Sequence, residues 1–408
     1  MIDKKHFSTL TILVILRLLF LVYSTNFDLM LFTKDSFHYI NLSENISQSY
    51  FEQNIENYWI NTFRLIGYPV FISFFRQFIN LENIIYTNLI FDLLSCVLVY
   101  KIIYKIKKDE FQSFLGAVLF LLNPNVLISS TQIMTENLSM FLLLITVFLL
   151  TSQKTSGVIF SGISLGLFSL VKPLGVYVLI FIIISKIFIF KTDIKKILLF
   201  SVIPLSVISL VYLNNFQNYG ISFYSTSSYF HIQWFNDASD ALCKDFDFNQ
   251  ERVSEPGYRF EEWKLENKFD SQTEPKIFID NLKLDSQDGT FQNIQCKFAS
   301  IIRSTTWNLF GIRGSNWDNS FIEQPYLQIV KLFSLLYVML INLIFIVAIF
   351  FKKNKSDLFY LLLIVFYLAI VSILPYGNAR TRVLIEPYLI ILFACNVQYL
   401  IKNTFKKT

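Results

Sequence analysis

Continuous apolar runs of roughly 20 residues recur along nearly the whole chain, and a bilayer core about 30 Å thick asks for that length per helix. The runs do not alternate apolar with polar residues, so a closed β-barrel is excluded. Hydrophobic residues make up 54% of the 408 and charged residues only 16%, a balance that a water-soluble globule of this size could not hide. The expected fold is an all-α polytopic membrane protein of about ten transmembrane helices, with interfacial helices in the first outer loop and an extracytoplasmic insert.

The net charge of +5 does not point to nucleic acid, because the lysines gather in short clusters between apolar runs. Lys101, Lys105, Lys107 and Lys108 form one cluster, Lys191, Lys195 and Lys196 a second, and Lys352, Lys353 and Lys355 a third. The positive-inside rule makes these cytoplasmic loops. The first run follows Lys4 and Lys5 as in a signal peptide, but it contains Arg17 and no small-residue cleavage site follows, so it reads as a retained span over 8–25. Residues 64–78 and 83–101 cannot both cross, since the Lys101–Lys108 cluster would then lie outside; 64–78 is expected to lie along the outer interface. Spans at 112–131, 137–153, 157–171, 174–190 and 197–214 leave 215–325 outside, and three more at 327–351, 357–375 and 383–401 put both termini in the cytoplasm of a plasma or bacterial inner membrane. The divisions are 1–214, a transmembrane core with first outer loop 26–82; 215–325, an extracytoplasmic domain; and 326–408, the C-terminal transmembrane helices.

Cys96 and Cys395 fall inside apolar runs, whereas Cys243 and Cys296 share the long external segment and are the pair that an oxidising compartment could join. Trp234, Trp263, Trp307 and Trp317 give that segment an aromatic character suited to a membrane surface. No phosphate loop, dinucleotide fingerprint or nucleophile elbow occurs. No cofactor is expected; a divalent metal is compatible with the chemistry below, but no ligand set is evident among only three histidines.

An ionisable group near lipid is costly and marks function. Most collect at the outer ends of spans: Asp35, His38, Arg64, Glu136, Lys172, Arg380 and Arg382. Asp35 has the chemistry of a general base, with a helix N-cap near Ser36 as the structural alternative. Lys172 precedes Pro173, which ends its helix, and either holds a phosphate or snorkels. Arg380 and Arg382 run against the positive-inside bias, and their planar forks suit phosphate. Glu136 after Thr135 complements a helix N-terminus, and Arg17 with Asp92 forms an ion pair, structural or along an ion path.

Five local patterns, in order, resemble the polytopic C-class glycosyltransferases, specifically the protein O-mannosyltransferase and aminoarabinose transferase family. They are Asp35-Ser36-Phe37-His38-Tyr39; Arg64-Leu65-Ile66-Gly67-Tyr68-Pro69; Asn123-Pro124 with Thr135-Glu136; Gly162-Ile163-Ser164-Leu165-Gly166 with Lys172-Pro173; and Arg380-Thr381-Arg382 ahead of Pro387. Ser36 departs from the family's Asp-Glu pair, and Lys172 replaces its usual arginine. The resemblance implies a polyprenyl-phosphate-linked sugar donor and a glycan, lipid or protein acceptor on the extracytoplasmic side, with inversion at the sugar. It implies Asp35 and Glu136 as catalytic carboxylates, and Lys172, Arg380, Arg382 and Arg64 on the lipid phosphate. His38, Tyr39 and Tyr68 would contact the sugar or acceptor. The rival expectation is a transporter or polymerase of lipid-linked glycans, which would need polar groups deep in several helices.

Overall fold

The computed structural model describes residues 4–25, 33–51, 58–151, 154–227, 229, 275–287, 325–349, 355–373 and 382–405. Among them the regular elements are all helical. Helix α1 (Lys4–Thr25) is followed by a group of short helices, α2 (Lys34–Glu44), α3 (Ile46–Tyr50), α4 (Tyr58–Phe63) and α5 (Gly67–Phe75). The bundle continues through α6 (Ile85–Lys107), α7 (Glu110–Leu121), α8 (Pro124–Ser130), α9 (Glu136–Leu150), α10 (Thr155–Val171), α11 (Gly175–Phe188) and α12 (Ile194–Tyr219). After α13 (Pro275–Gln287) come α14 (Pro325–Ile349), α15 (Lys355–Ile373) and α16 (Glu386–Phe405).

Local chemistry sets the boundaries. Asp109 and Asn123 cap α7 and α8 by accepting from the N–H groups of Gln112 and Val126, and Pro124 fills the first position of α8. Helix α10 stops where Lys172, ahead of Pro173, turns extended at φ −134° and ψ 133°, the conformation proline imposes on its predecessor. Gly220 closes α12 in the left-handed region, at φ 72°.

Among the described residues two helices are long and apolar enough to cross a bilayer, His6–Ser24 within α1 and α12, and the pair α7–α8 makes a third if it counts as one span. Over 112–131, where a span is expected, the chain forms this broken pair, bent by 52° at Leu122–Asn123. Helices α9, α10 and α11 have 15, 17 and 14 residues, about 21–26 Å at 1.5 Å per residue. Helix α5 has nine residues, about 14 Å and well short of a bilayer core. In the bundle, α10 packs between α9 and α12. Gly162 allows this approach, since a Cβ there would stand 2.6 Å from the Phe200 carbonyl oxygen.

The break between α7 and α8 frees backbone carbonyls inside an apolar bundle, and a buried arginine meets them. Arg17 donates from Nε to the Leu121 carbonyl at 2.7 Å and from Nη2 to those of Phe120 and Asn123 at 3.1 and 3.4 Å. Its Nη1 meets Asp92 at 2.6 Å. Asp92 also accepts from the Ser130 hydroxyl and from Asn137 Nδ2, the latter at 2.7 Å. The expected Arg17–Asp92 pair exists as a structural one, stitching α1, α6, α8 and α9 around the break.

Candidate active site

The short helices after α1 deliver the acid. Thr33 caps α2 through a reciprocal box with Ser36, so the alternative that made Asp35 the cap does not hold; Asp35 lies in the first turn of the helix. Thr33 Oγ1 also donates to Met134 Sδ at 2.9 Å, fastening the start of α2 to the loop before Glu136.

Asp35 meets Arg64 Nη2 in an ion pair between side chains 24% and 13% exposed. Arg64 Nη1 lies 3.4 Å from the Tyr39 hydroxyl and Nη2 lies 3.4 Å from His38 Nδ1. Its guanidinium carbon stands 5.0 Å from the Tyr39 ring centre and 4.7 Å from that of Phe63, a cation held by two π faces. Burial and the Arg64 charge hold the His38 imidazole below its ordinary pKa of 6.5, against the opposing pull of Asp35. The ring is therefore neutral near pH 7, able to accept or donate one hydrogen bond.

A second pair comes from the bundle. Glu136, in the first turn of α9, is fully buried, and Lys172 Nζ approaches its Oε1 to 3.3 Å from the end of α10. Tyr68 joins the two pairs: its ring meets that of Tyr39 edge-on at 5.1 Å, and the Glu136 carboxylate and Tyr39 add to burial in raising its pKa. Gly67 allows this approach, because a Cβ there would fall 2.6 Å from the Leu170 carbonyl oxygen, two residues before Lys172. The chain after α12 is strapped across the same place. The Thr226 N–H donates to the Thr62 carbonyl at 3.0 Å and the Ser225 hydroxyl to that of Phe63 at 2.9 Å, so the segment that follows α12 begins beside Arg64.

Asp35, His38, Tyr39, Arg64, Tyr68, Glu136 and Lys172 thus form one continuous assembly. Arg382 differs from the expectation. It does not extend from an outer loop but is completely buried, its Nε paired with Glu386 on the next turn, and Glu386 Oε1 also accepts from Asn125 Nδ2 at 2.8 Å. Arg380, Cys243 and Cys296 lie outside the described residues. Sequence reasoning missed Glu386, Asn125 and Phe63. The i,i+4 spacing of Arg382 and Glu386 was the available signal for the first. Among the described residues no three metal-binding side chains gather.

No family model matches the chain, and no curated protein does. The fold does have a solved counterpart. It is similar to the archaeal oligosaccharyltransferase AglB from Archaeoglobus fulgidus, solved in complex with an inhibitory peptide and a dolichol-phosphate. The TM-score is 0.53 at 16% identity, over 98% of this chain and 51% of that one. The likeness is one of fold alone. The chain spans about half the length of that oligosaccharyltransferase.

Proposed function

We propose that this chain is a membrane glycosyltransferase that moves a sugar from a polyprenyl-phosphate-linked donor to an acceptor hydroxyl on the extracytoplasmic side, with inversion. The carrying observation is the meeting of two carboxylate–cation pairs, Asp35–Arg64 and Glu136–Lys172, at one end of a bundle whose fold is shared with an oligosaccharyltransferase. The dolichol-phosphate bound by that enzyme supports a polyprenyl phosphate donor here. The ten-span topology, with both termini cytoplasmic and 215–325 outside, belongs to this proposal.

Exposure divides the two acids. A base must reach the acceptor, and Asp35 is 24% exposed whereas Glu136 is completely buried. Asp35 takes the acceptor proton as its oxygen attacks the anomeric carbon; the bond from that carbon to the phosphate oxygen breaks, and polyprenyl phosphate leaves with the electron pair. Glu136 holds Lys172 toward the leaving phosphate, where Lys172 and Arg64 stabilise the charge that develops. Tyr39, Tyr68 and neutral His38 offer hydroxyl, ring and imidazole contacts to sugar or acceptor. A single displacement inverts the anomeric centre.

Membranes carrying wild type or Asp35→Asn at equal expression, given radiolabelled polyprenyl-phosphate sugars, test the reading. Transfer by wild type that the variant loses supports it. Equal transfer by both removes Asp35 as the base. The transporter reading draws on the broken α7–α8 helix, a feature of substrate paths in transporters. It expects the labelled donor to change leaflet with its glycosyl bond intact, which product analysis in the same membranes reads directly.

A further inference from the structure

Two buried ion pairs flank the α7–α8 break, and they differ in one respect. Arg17 uses all three of its guanidinium nitrogens, and both Asp92 oxygens accept hydrogen bonds. The Arg382–Glu386 pair is satisfied on one side only: Arg382 Nε and Asn125 share Glu386 Oε1, while Arg382 Nη1 and Nη2 and Glu386 Oε2 have no hydrogen-bond partner among the described residues. Both residues are 0% exposed. Three unmatched polar atoms on charged groups in one buried place ask for an occupant.

The occupant's chemistry follows from the count of donors and acceptors. A phosphate would find no net positive charge, because Glu386 already neutralises Arg382, and the phosphodiester of a lipid-linked sugar has no proton for Oε2. A pair of hydroxyls fits: each accepts from a guanidinium N–H, and one donates to the carboxylate. Resting on the glycosyltransferase reading, we infer that Arg382 and Glu386 form a subsite for vicinal hydroxyls of a sugar, carried by the lipid-linked donor or by a glycan acceptor. Arg382 stands on a separate turn ahead of α16, where the Ile385 N–H donates to its carbonyl at 2.9 Å. Asn125 ties the subsite to α8, and Ser129 on the same helix donates to Asn137 at 2.6 Å, next to Glu136. The subsite is thereby linked through one short helix to the proposed reaction centre.

The test uses the full chain in detergent and native mass spectrometry. Probes are undecaprenyl phosphate, the same lipid bearing single hexoses or pentoses, and free oligosaccharides made from them. Wild type should prefer at least one glycosylated lipid over the bare lipid, or bind a free oligosaccharide. Glu386→Gln and Arg382→Lys should lose that preference by about ten- to a hundredfold. Loss confined to the lipids assigns the subsite to the donor, and loss confined to free glycans assigns it to the acceptor. A tenfold tightening of bare undecaprenyl phosphate in Glu386→Gln would overturn the inference, because it means that the unmasked arginine holds the phosphate. Unchanged preferences in both variants would overturn it too, leaving the pair filled by water. Should either variant fail to fold, Arg382→Met with Glu386→Met replaces the buried pair by apolar chains, and the same loss is expected. If wild type binds no lipid but binds glycans through Arg382, the polyprenyl donor falls and the subsite stands.

Discussion

At the scale of single residues, the cations proposed to meet phosphate, Arg64 and Lys172, are each paired with a carboxylate. A phosphate arriving at Arg64 competes with Asp35, and its success releases the acid that must act as base. The consequence has a definite sign. Asp35→Asn should abolish transfer yet bind bare undecaprenyl phosphate about tenfold more tightly, since a neutral amide competes poorly for a guanidinium. Unchanged affinity would mean that Arg64 does not meet the phosphate. His38 supplies a pH prediction. Its pKa is depressed in the fold below 6.5, so between the two values the unfolded chain binds more protons, and stability falls as pH drops through that window. The melting temperature should therefore decline from about pH 7 to pH 5, and His38→Gln should flatten the part of the decline that His38 causes. A variant whose melting curve follows the wild-type pH profile would show that His38 contributes none of it.

At the scale of elements, the α7–α8 break has the most to teach. Replacing both members of a buried ion pair by apolar residues is often harmless. Here it should not be, because Arg17 also serves the carbonyls of Phe120, Leu121 and Asn123. Arg17→Met with Asp92→Met should stay destabilised by about 2–4 kcal/mol, the scale of buried acceptors left without donors, measured by thermal unfolding in detergent. Recovery to wild-type stability would show that the carbonyls find other donors. The same element shows how far the sequence could be read. The apolar runs foretold where helices lie, because only a helix satisfies its own backbone in lipid. The Arg17–Asp92 pair was legible as two lone charges in apolar runs. The bend at Asn123 was not: a hydropathy window averages across Asn123-Pro124, and a cap followed by proline also fits a simple helix start. Nor was the Asp35–Arg64 pair, since the two are 29 residues apart and nothing local joins them. The burial of Arg382 was not legible either: a cation against the positive-inside bias fits an outer loop, and its one local sign is Glu386 at i+4.

At the scale of the molecule, every functional assignment depends on which side of the membrane the Asp35 end faces, and the fold allows a clean labelling design. Sites must be exposed in the structure, which favours Glu44 at the end of α2, with its side chain 59% exposed. At the opposite end Lys195, in the first turn of α12 and exposed, belongs to one of the lysine clusters. Cys96 and Cys395 are buried and can stay, whereas Cys243 and Cys296 are first replaced by serine. In this background Glu44→Cys should react with a membrane-impermeant maleimide on intact cells, and Lys195→Cys only after permeabilisation. The reverse pattern would put Asp35, Arg64 and the external segment in the cytoplasm, where the positive-inside argument, the extracytoplasmic acceptor and the oxidising compartment for Cys243 and Cys296 all fail together. Labelling of both sites in intact cells would require an odd number of crossings between residues 44 and 195 to become even. Among the described helices the broken α7–α8 pair is the element to reassign in that case, because a re-entrant hairpin in place of a span changes the parity by one.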